Sequence, residues 1–228
     1  MDPPGGIGSA EAVADTLRRA ILAHRVSPGA KLSEDEVGGA LGVRRGVVRE
    51  ALRALAHEHL VELRRNRGAF VAKPGKQEAV EVFEARSLLE PRTARSAAQR
   101  ASDADVTDLR RHLTEEREAM GSGDSGRAVY LSGQFHVQIA RIAKQATIAR
   151  FVEGLVLRSS LIVALYWKRP SAMCECHAHD ALVDAIASRD APLAEEVMQG
   201  HLVDLLSGLE LAEQSRSEMS LANALKGL

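Results

Sequence analysis

Apolar residues recur at helical spacing along most of this chain, and one short stretch near residue 60 has a strand-like pattern instead. The helical spacing first predicts a helix from Ala10 to about His24. Ser33 followed three residues later by Glu36 is a capping box, which predicts that a second helix begins at Glu34. Gly42 is expected to end that helix, and a third helix is expected from about Arg44 to His57.

A β-hairpin is predicted directly after the third helix. Two short apolar runs, Leu60 to Leu63 and Ala69 to Ala72, flank a basic turn that contains Gly68. This arrangement is typical of a hairpin. Three helices followed by a hairpin predict a winged helix-turn-helix, a fold that suits the major groove of duplex DNA.

The rest of the chain is expected to be an all-α antiparallel bundle, because no strand-like period occurs after Ala72. Six helices are predicted there, over residues 78–100, 103–120, 125–143, 146–167, 172–188 and 191–212. The fold class is therefore mainly α, and five segments are expected. They are a disordered start at 1–9, the winged helix-turn-helix at 10–72, a linker at 73–77, a helical effector-binding and dimerisation domain at 78–212, and a tail at 213–228.

The formal net charge of -1 conceals a local basic region. Between Leu41 and Ala72 the only acids are Glu50, Glu58 and Glu62, whereas basic residues are frequent there: Arg44, Arg45, Arg49, Arg53, Arg64, Arg65 and Arg67. A local patch of this kind is the charge pattern of a nucleic-acid-binding surface. Aromatic residues make up only 3% of the chain, which favours duplex DNA over single strands bound by base stacking.

Targeting signals and disulfides are not expected. The first residues lack a basic segment followed by an apolar core, and no apolar run approaches the roughly 20 residues that cross a membrane. The two cysteines, Cys174 and Cys176, are too close together for a disulfide scaffold. We therefore expect a soluble, cytoplasmic protein.

The third predicted helix carries the candidate DNA-reading residues. Arg45, Arg49 and Arg53 are four residues apart, so they line one face of the helix. Arginine is suited to bidentate contact with guanine, and we expect such a contact from Arg45 and Arg49, while Arg44, Arg65 and Arg67 are expected to contact phosphate. The alternative is a solvated basic helix followed by an ordinary hairpin.

Several ordered motifs resemble one bacterial family. PGAKLSEDEVGGALGV, R-x-x-V-V-R-E-A-L-R-A-L and RGAFVA match a winged-helix motif. RSLLE at Arg86 to Glu90, QFH ending at His136, HDALVDAI from His179 and DAPLAEEVMQGHL up to Leu202 match an effector-domain pattern. The chain thus resembles GntR-family transcriptional regulators of the FadR subfamily, which carry an FCD-type C-terminal domain.

This resemblance implies a homodimer that binds a pseudo-palindromic operator. The implied DNA-binding residues are Arg44, Arg45, Gly46, Val47, Arg49, Arg65, Arg67 and Gly68. Four departures from the family pattern predict that this protein has its own preference for the operator sequence. Arg44 stands in place of Ser or Thr, Gly46 and Val47 replace Thr-Pro, Asp35 replaces an arginine that helps to hold DNA, and His59 replaces a glycine.

The resemblance also implies a metal and effector site in the helical domain. His136, His179 and His201 fall on the family's metal positions, and three imidazoles from facing helices suit Zn²⁺ or a similar divalent ion. Ser132 stands where the family has an aspartate ligand. The implied effector is a small molecule, typically a carboxylate, contacted by Arg86, Ser132, His136, His179 and His201.

Two alternatives concern this site. The run Cys174, Cys176, His177 and His179 is a C-x-C-H-x-H pattern that offers a separate local metal site. Arg86 has Glu90 four residues later, so it is as well suited to an internal salt bridge as to an effector carboxylate.

The function expected is a ligand-responsive DNA-binding regulator, and the resemblance favours a repressor released by its effector. One alternative is a metal-dependent, hydrolase-like enzyme, although no nucleophile elbow or phosphate-binding glycine loop occurs. The other is a constitutive DNA-binding dimer without an effector.

Overall fold

The computed structural model describes residues 8–167 and 173–211, and it is mainly helical, as predicted. The predictions for the C-terminal tail and for a metal site at Cys174 and Cys176 fall on residues or side chains outside this description. Disorder was predicted through residue 9, but Ser9 is ordered, and its side chain accepts a hydrogen bond from the amide of Ala12 at 3.2 Å. Among the described helices, none has the length and apolar character needed to cross a membrane.

The first part of the chain, residues 10–72, forms a winged helix-turn-helix that we call the head. Its elements are α1 (Ala10–Leu22), β1 (Lys31–Leu32), α2 (Glu34–Leu41), α3 (Arg45–His57), β2 (Val61–Arg64) and β3 (Gly68–Val71). Ser33 caps α2 by accepting from the amide of Glu36, and Gly42 ends it with φ of 68°. A left-handed residue at this position is a common end to a helix.

The wing has three strands rather than the predicted two. The sheet order is β1-β3-β2, and β1 pairs with β3 through Lys31 opposite Phe70 and Leu32 opposite Ala69. The predicted hairpin is present, but β2 begins and ends one residue later than expected, and β3 begins and ends one residue earlier. A two-residue strand such as β1 is too short to show a period, so the sequence pattern missed it.

Two helix ends in the head also differ from the predictions. Helix α1 stops at Leu22 rather than His24, because His24 has a φ of 55° and turns the chain out of the helix. Helix α3 starts at Arg45, and Arg44 is its extended N-cap residue. His59, which stands in place of the family's glycine, has a φ of 60°. The glycine suits that backbone conformation, and the histidine adopts it nevertheless.

The second part contains the six predicted helices, which we call the body. They are α4 (Lys76–Arg100), α5 (Asp103–Gly121), α6 (Ser125–Ile142), α7 (Ala146–Tyr166), α8 (Met173–Ala187) and α9 (Ala191–Ser207). The linker predicted at 73–77 is shorter, because Gly75 is the N-cap of α4. Helix α9 ends at Ser207 rather than residue 212, and Leu209 then forms an antiparallel bridge with Trp167.

The hydrophobic core of the head extends into the body. Most of that core comes from α1, α3 and the wing, including the buried residues Ile21, Leu52 and Val71. Leu157 and Leu161 of α7 belong to the same cluster. Helix α7 therefore contributes to the cores of both the head and the body.

Candidate nucleic-acid interface and metal centre

Helix α3 presents its arginines to solvent at the outer face of the head. Val48, Ala51, Leu52 and Leu55 bury the opposite face of the helix. The side chains of Arg45 and Arg49 are 66% and 55% exposed to solvent, respectively. Gly46 and Val47 lie in the first turn, next to the N-cap residue Arg44. This end of α3 is the part of a recognition helix that contacts base edges in helix-turn-helix proteins.

Acidic residues of α2 pair with both candidate reading arginines. Arg45 donates to Asp35 through Nε and Nη2. Arg49 donates to Glu34 through Nε at 2.9 Å and Nη2 at 2.8 Å. The hydrogen bond from Arg49 lowers the pKa of Glu34. The Nε and Nη2 edge of each arginine is therefore occupied, and only the Nη1 side is free of these carboxylates.

The tip of the wing carries the remaining basic residues. Arg65 and Arg67 are exposed in the turn between β2 and β3. Gly68 begins β3 with a φ of 97°, a conformation that favours glycine. Arg64 instead lies over the ring of Phe70 at 4.5 Å and pairs with Glu62. The tip can therefore offer Arg65 and Arg67 to a DNA backbone beside the groove that α3 would occupy.

Three histidines from separate helices of the body converge in its core. His136 of α6, His179 of α8 and His201 of α9 are all buried. The Nε2 atom of His201 lies 3.2 Å from Nε2 of His179 and 3.3 Å from Nε2 of His136. Among the described residues, this is the one cluster of histidine, cysteine or acidic side chains that is close enough to hold a metal ion.

Buried carboxylates orient two of the three imidazoles. His136 Nδ1 lies 2.5 Å from Glu90 Oε2, and His179 Nδ1 lies 3.1 Å from Glu116 Oε2. Each Nδ1 is therefore placed to donate to a carboxylate, which turns the Nε2 atom of the same ring towards His201.

Arg86 and Glu90 form a buried ion pair behind His136. Arg86 Nε donates to Glu90 Oε1 at 2.5 Å, and Arg86 Nη1 donates to Ser159 Oγ at 3.1 Å. Burial raises the pKa of Glu90, but the charge of Arg86 together with His136 outweighs burial and lowers the pKa to about 2. Burial also lowers the pKa of His136 and of His201, so both imidazoles are neutral near pH 7. Arg86 therefore supplies the positive charge that pairs with Glu90, because a neutral His136 only donates a hydrogen bond to this carboxylate.

Two of the three nitrogen separations suit a tetrahedral metal ion. With bonds of about 2.0–2.1 Å from Zn²⁺ to nitrogen, two tetrahedral ligands lie about 3.3–3.4 Å apart. The two distances from His201 Nε2, 3.2 Å and 3.3 Å, match this value, and the ligand atoms of all three histidines lie within 4.8 Å of one another. Arg86, Glu90 and Glu116 contribute one guanidinium and two carboxylates, a formal excess of negative charge that also favours a cation.

A small cavity of about 40 Å³ lies beside the cluster. Its lining includes the polar residues Arg86, Ser132, His136, Ser159 and Ser160, together with Gly133. Arg86 pairs with Glu90, which is one of the two alternatives left open by the sequence, and it also lines the cavity. His179 and His201 do not line this cavity, so the predicted effector residues divide between the cavity and the histidine cluster.

The roles of four residues at these sites were not predicted from the sequence. Glu34 and Asp35 follow the cap residue of α2, and no local pattern pairs them with the arginines of α3. Glu90 was predicted only as a partner of Arg86. Glu116 had no sequence signal, because it lies in α5 in no recognised motif, and its Oε1 atom is buried without a hydrogen-bond partner among the described residues.

Comparisons with known proteins agree for both parts of the chain. Residues 9–71 match the model of bacterial regulatory proteins of the gntR family, and residues 81–204 match the FCD domain. The chain is 31% identical over 217 residues to the Uxu operon transcriptional regulator of Escherichia coli K12, covering 82% of this chain and 80% of that protein. It is 27% identical over 205 residues to the transcriptional repressor RspR of the same organism, covering 89% of each.

Solved structures show the same fold. A GntR protein from Rhodococcus sp. RHA1 superposes with a TM-score of 0.76 at 24% identity, covering 87% of this chain and 95% of that one. The E. coli protein McbR/YncC superposes with a TM-score of 0.75 at 20% identity, covering 87% and 97%. Together with the two family matches, these findings show that the chain belongs to the GntR family of bacterial regulatory proteins, as a DNA-binding, ligand-responsive transcription regulator with an FCD domain and not an enzyme.

Proposed function

We propose that this chain is a homodimeric repressor that binds a pseudo-palindromic operator and is released by a small carboxylate. Arg45 and Arg49 read the major groove, while Arg44, Arg65 and Arg67 contact phosphates. Gly46 and Gly68 allow the backbone to approach the DNA, and Val47 lies beside Gly46 in the same turn. The observation that carries this proposal is the exposed arginine face of α3 beside a basic wing. Because its ligand is bacterial chromosomal DNA, the protein acts in the cytoplasm.

We further propose that His136, His179 and His201 hold a divalent ion, with Zn²⁺ as the first candidate. Support comes from the converging Nε2 atoms and from the carboxylates that fix two of the imidazoles. Since Ser132 supplies no anionic ligand, the effector's carboxylate completes the charge balance at the open position, and Arg86 faces the same cavity. When bound, such an ion supplies a Lewis acid that attracts the carboxylate.

Replacing the reading arginines is expected to weaken DNA binding. Arg45→Ala and Arg49→Ala should each reduce affinity by about 5- to 150-fold for a duplex that the wild-type protein selects from a random pool. The loss should be smaller for a random-sequence duplex, because base contacts carry the preference. Fluorescence anisotropy with both duplexes at fixed salt measures this difference.

A matched pair of variants sharpens that experiment. Arg111→Ala removes an equally exposed arginine from α5 and should leave both affinities unchanged. Asp35→Asn should act in the opposite direction, because it frees Arg45 and removes a negative charge that faces the DNA. Wild-type affinities for both duplexes in Arg45→Ala and Arg49→Ala would exclude α3 as the reading helix.

The homodimer is expected to use neighbouring apolar positions of α4 and α7. Leu88 of α4 is 80% exposed and Phe151 of α7 is 63% exposed. Leu89 and Ile148, on the same two helices, pack only partly into the cluster around Val152. Apolar side chains that are left this exposed on adjoining helices favour contact with a second copy, and an isologous interface places the same patch on both subunits.

Charged replacements at this patch should dissociate the dimer. The wild-type protein is expected to sediment as a dimer with twice the chain mass of 24.6 kDa. The double variant Leu88→Glu with Phe151→Glu is expected to sediment as a monomer. Leu193→Glu, on an exposed position of α9, is the control and should remain dimeric. Sedimentation velocity distinguishes these species, and a double variant that stays dimeric would place the interface elsewhere.

A further inference from the structure

The end of α1 is bound to the body at a small buried joint. His24 Nε2 lies 3.1 Å from the carbonyl oxygen of Ser160, and the hydroxyl of Ser160 donates to the carbonyl oxygen of Leu22 at 3.4 Å. Ser160 is buried in α7. The contact therefore fixes the last residues of the first head helix against a helix of the body.

Gly126 of α6 completes the joint by close backbone approach. A Cβ atom at residue 126 would lie 1.9 Å from the carbonyl oxygen of Ala23, well inside contact distance. Only glycine allows α1 and α6 to approach this closely. We call Leu22, Ala23 and His24, together with Gly126 and Ser160, the α1 joint.

Polar contacts and one peptide bond connect the joint with the three histidines. Ser159, the residue before Ser160, accepts from Arg86 Nη1 at 3.1 Å. Arg86 is paired with Glu90, whose other oxygen lies 2.5 Å from His136 Nδ1. One turn of α7 therefore has the histidine site on one side and the head on the other.

The cavity beside the cluster shares a wall with the joint. Gly133 and Ser160 line the cavity of about 40 Å³, and both also line a second space of about 10 Å³ that reaches Leu22. Since one water needs about 10–15 Å³ measured in this way, the first cavity has room for about three waters. A carboxylate that fills the cavity is therefore in contact with this shared wall.

We propose that the α1 joint is the element through which occupancy of the body site repositions the winged helix. The inference rests on the proposed function, in which the body site binds an ion and a carboxylate and the head binds DNA. An ion at the histidines changes the charge beside Glu90 and Arg86, which bonds Ser159, and a carboxylate in the cavity contacts the wall at Ser159 and Ser160. Ser160 in turn contacts Leu22 and His24, so binding at the body and binding of DNA are reciprocally linked.

Two variants separate the joint from both binding sites. Gly126→Ala forces α6 and α1 apart, and residue 126 lines neither the cavity nor the DNA face. His24→Asn is the milder change. Asparagine tolerates the φ of 55° at this position but is too short to reach the carbonyl of Ser160. Gly121→Ala is the control, because a Cβ there meets no atom within 4 Å.

The experiment uses Zn²⁺ alone as the probe and the full chain in each variant. Zn²⁺ affinity is measured by calorimetry, and affinity for the selected duplex is measured with and without Zn²⁺. Exchange of the amides of residues 22–26 is followed by mass spectrometry under both conditions. In the wild type and Gly121→Ala, Zn²⁺ should change duplex affinity by about fivefold or more and slow this exchange. In Gly126→Ala and His24→Asn, Zn²⁺ should still bind, but both responses should fall to within about twofold of no change.

The outcomes distinguish the inference from the function on which it rests. If wild-type protein binds Zn²⁺ and DNA independently, or if His24→Asn retains the full wild-type responses, the joint does not couple the sites and the inference is wrong, while the proposed function stands. If wild-type protein fails to bind either Zn²⁺ or DNA, the proposed function is wrong and the inference is lost with it. Should Gly126→Ala fail to fold, His24→Asn and Gly121→Ala still decide the result.

Discussion

Glu90→Ala is expected to lower the free energy of unfolding by about 3–5 kcal/mol. Glu90 is 1% exposed, and it accepts from Arg86 and from His136 Nδ1. Its removal leaves the guanidinium of Arg86 buried with Ser159 and the ring of Phe83 as partners but without a counter-ion, and such a buried charge is costly. Urea denaturation of the wild type and the variant measures the difference.

The control for Glu90→Ala is a pair of similar chemistry at the surface. Glu195 pairs with Arg95 at 2.9 Å, and both side chains are 37% exposed. Glu195→Ala should change stability by no more than about 1 kcal/mol, because solvent screens an exposed pair. A loss of less than about 1 kcal/mol in Glu90→Ala would mean that Arg86 finds another partner.

The contribution of Glu90 should also depend on pH in one direction. The pKa of Glu90 falls from 4.5 in the unfolded chain to about 2 in the folded protein. A lowered pKa stabilises the folded protein above pH 4.5, and that stability is lost as the pH falls towards 2. The difference in stability between the wild type and Glu90→Gln should therefore be constant near neutral pH and should shrink below about pH 4.

Most helices of this chain were predictable because their apolar residues recur at helical spacing. Ser33 and Gly42 mark helix ends by local chemistry, and the structure has helix ends at both. The misplaced ends have tertiary causes. Helix α1 stops early where its end meets Gly126 and Ser160, and the residues after α9 pair with Trp167. Such contacts join distant parts of the chain, so no local pattern reveals them.

Sequence motifs identified single residues of the candidate sites but not how these residues are placed relative to one another. His136, His179 and His201 were singled out by resemblance, but their separation along the chain gives no distance between them. The orientation of the imidazoles depends on Glu90 and Glu116, which come from two further helices. The ion pairs of Arg45 and Arg49 likewise required the packing of α2 against α3.

Zn²⁺ is expected to raise the thermal stability of the protein through the three histidines. At a free Zn²⁺ concentration 100 times the dissociation constant, binding to the folded state alone adds about 2.7 kcal/mol. For a protein of this size, that corresponds to an increase in Tm of about 5–11 °C. Because burial keeps His136 and His201 neutral, their Nε2 atoms can bind the ion at pH 7 without first losing a proton. Differential scanning fluorimetry of chelator-treated protein with added Zn²⁺ measures the shift.

Variants at single histidines identify the ligands. His201→Ala removes the imidazole that lies between the other two, and it should abolish the shift in Tm. His177→Ala is the matched control. His177 is exposed and belongs to the C-x-C-H-x-H run, so its removal should leave the shift intact if the buried cluster is the site. Loss of the shift in His177→Ala but not in His201→Ala would instead assign Zn²⁺ to that run. If Zn²⁺ gives no shift in the wild-type protein, the three histidines do not bind it, and only His136 then contributes to the cavity that Arg86 lines.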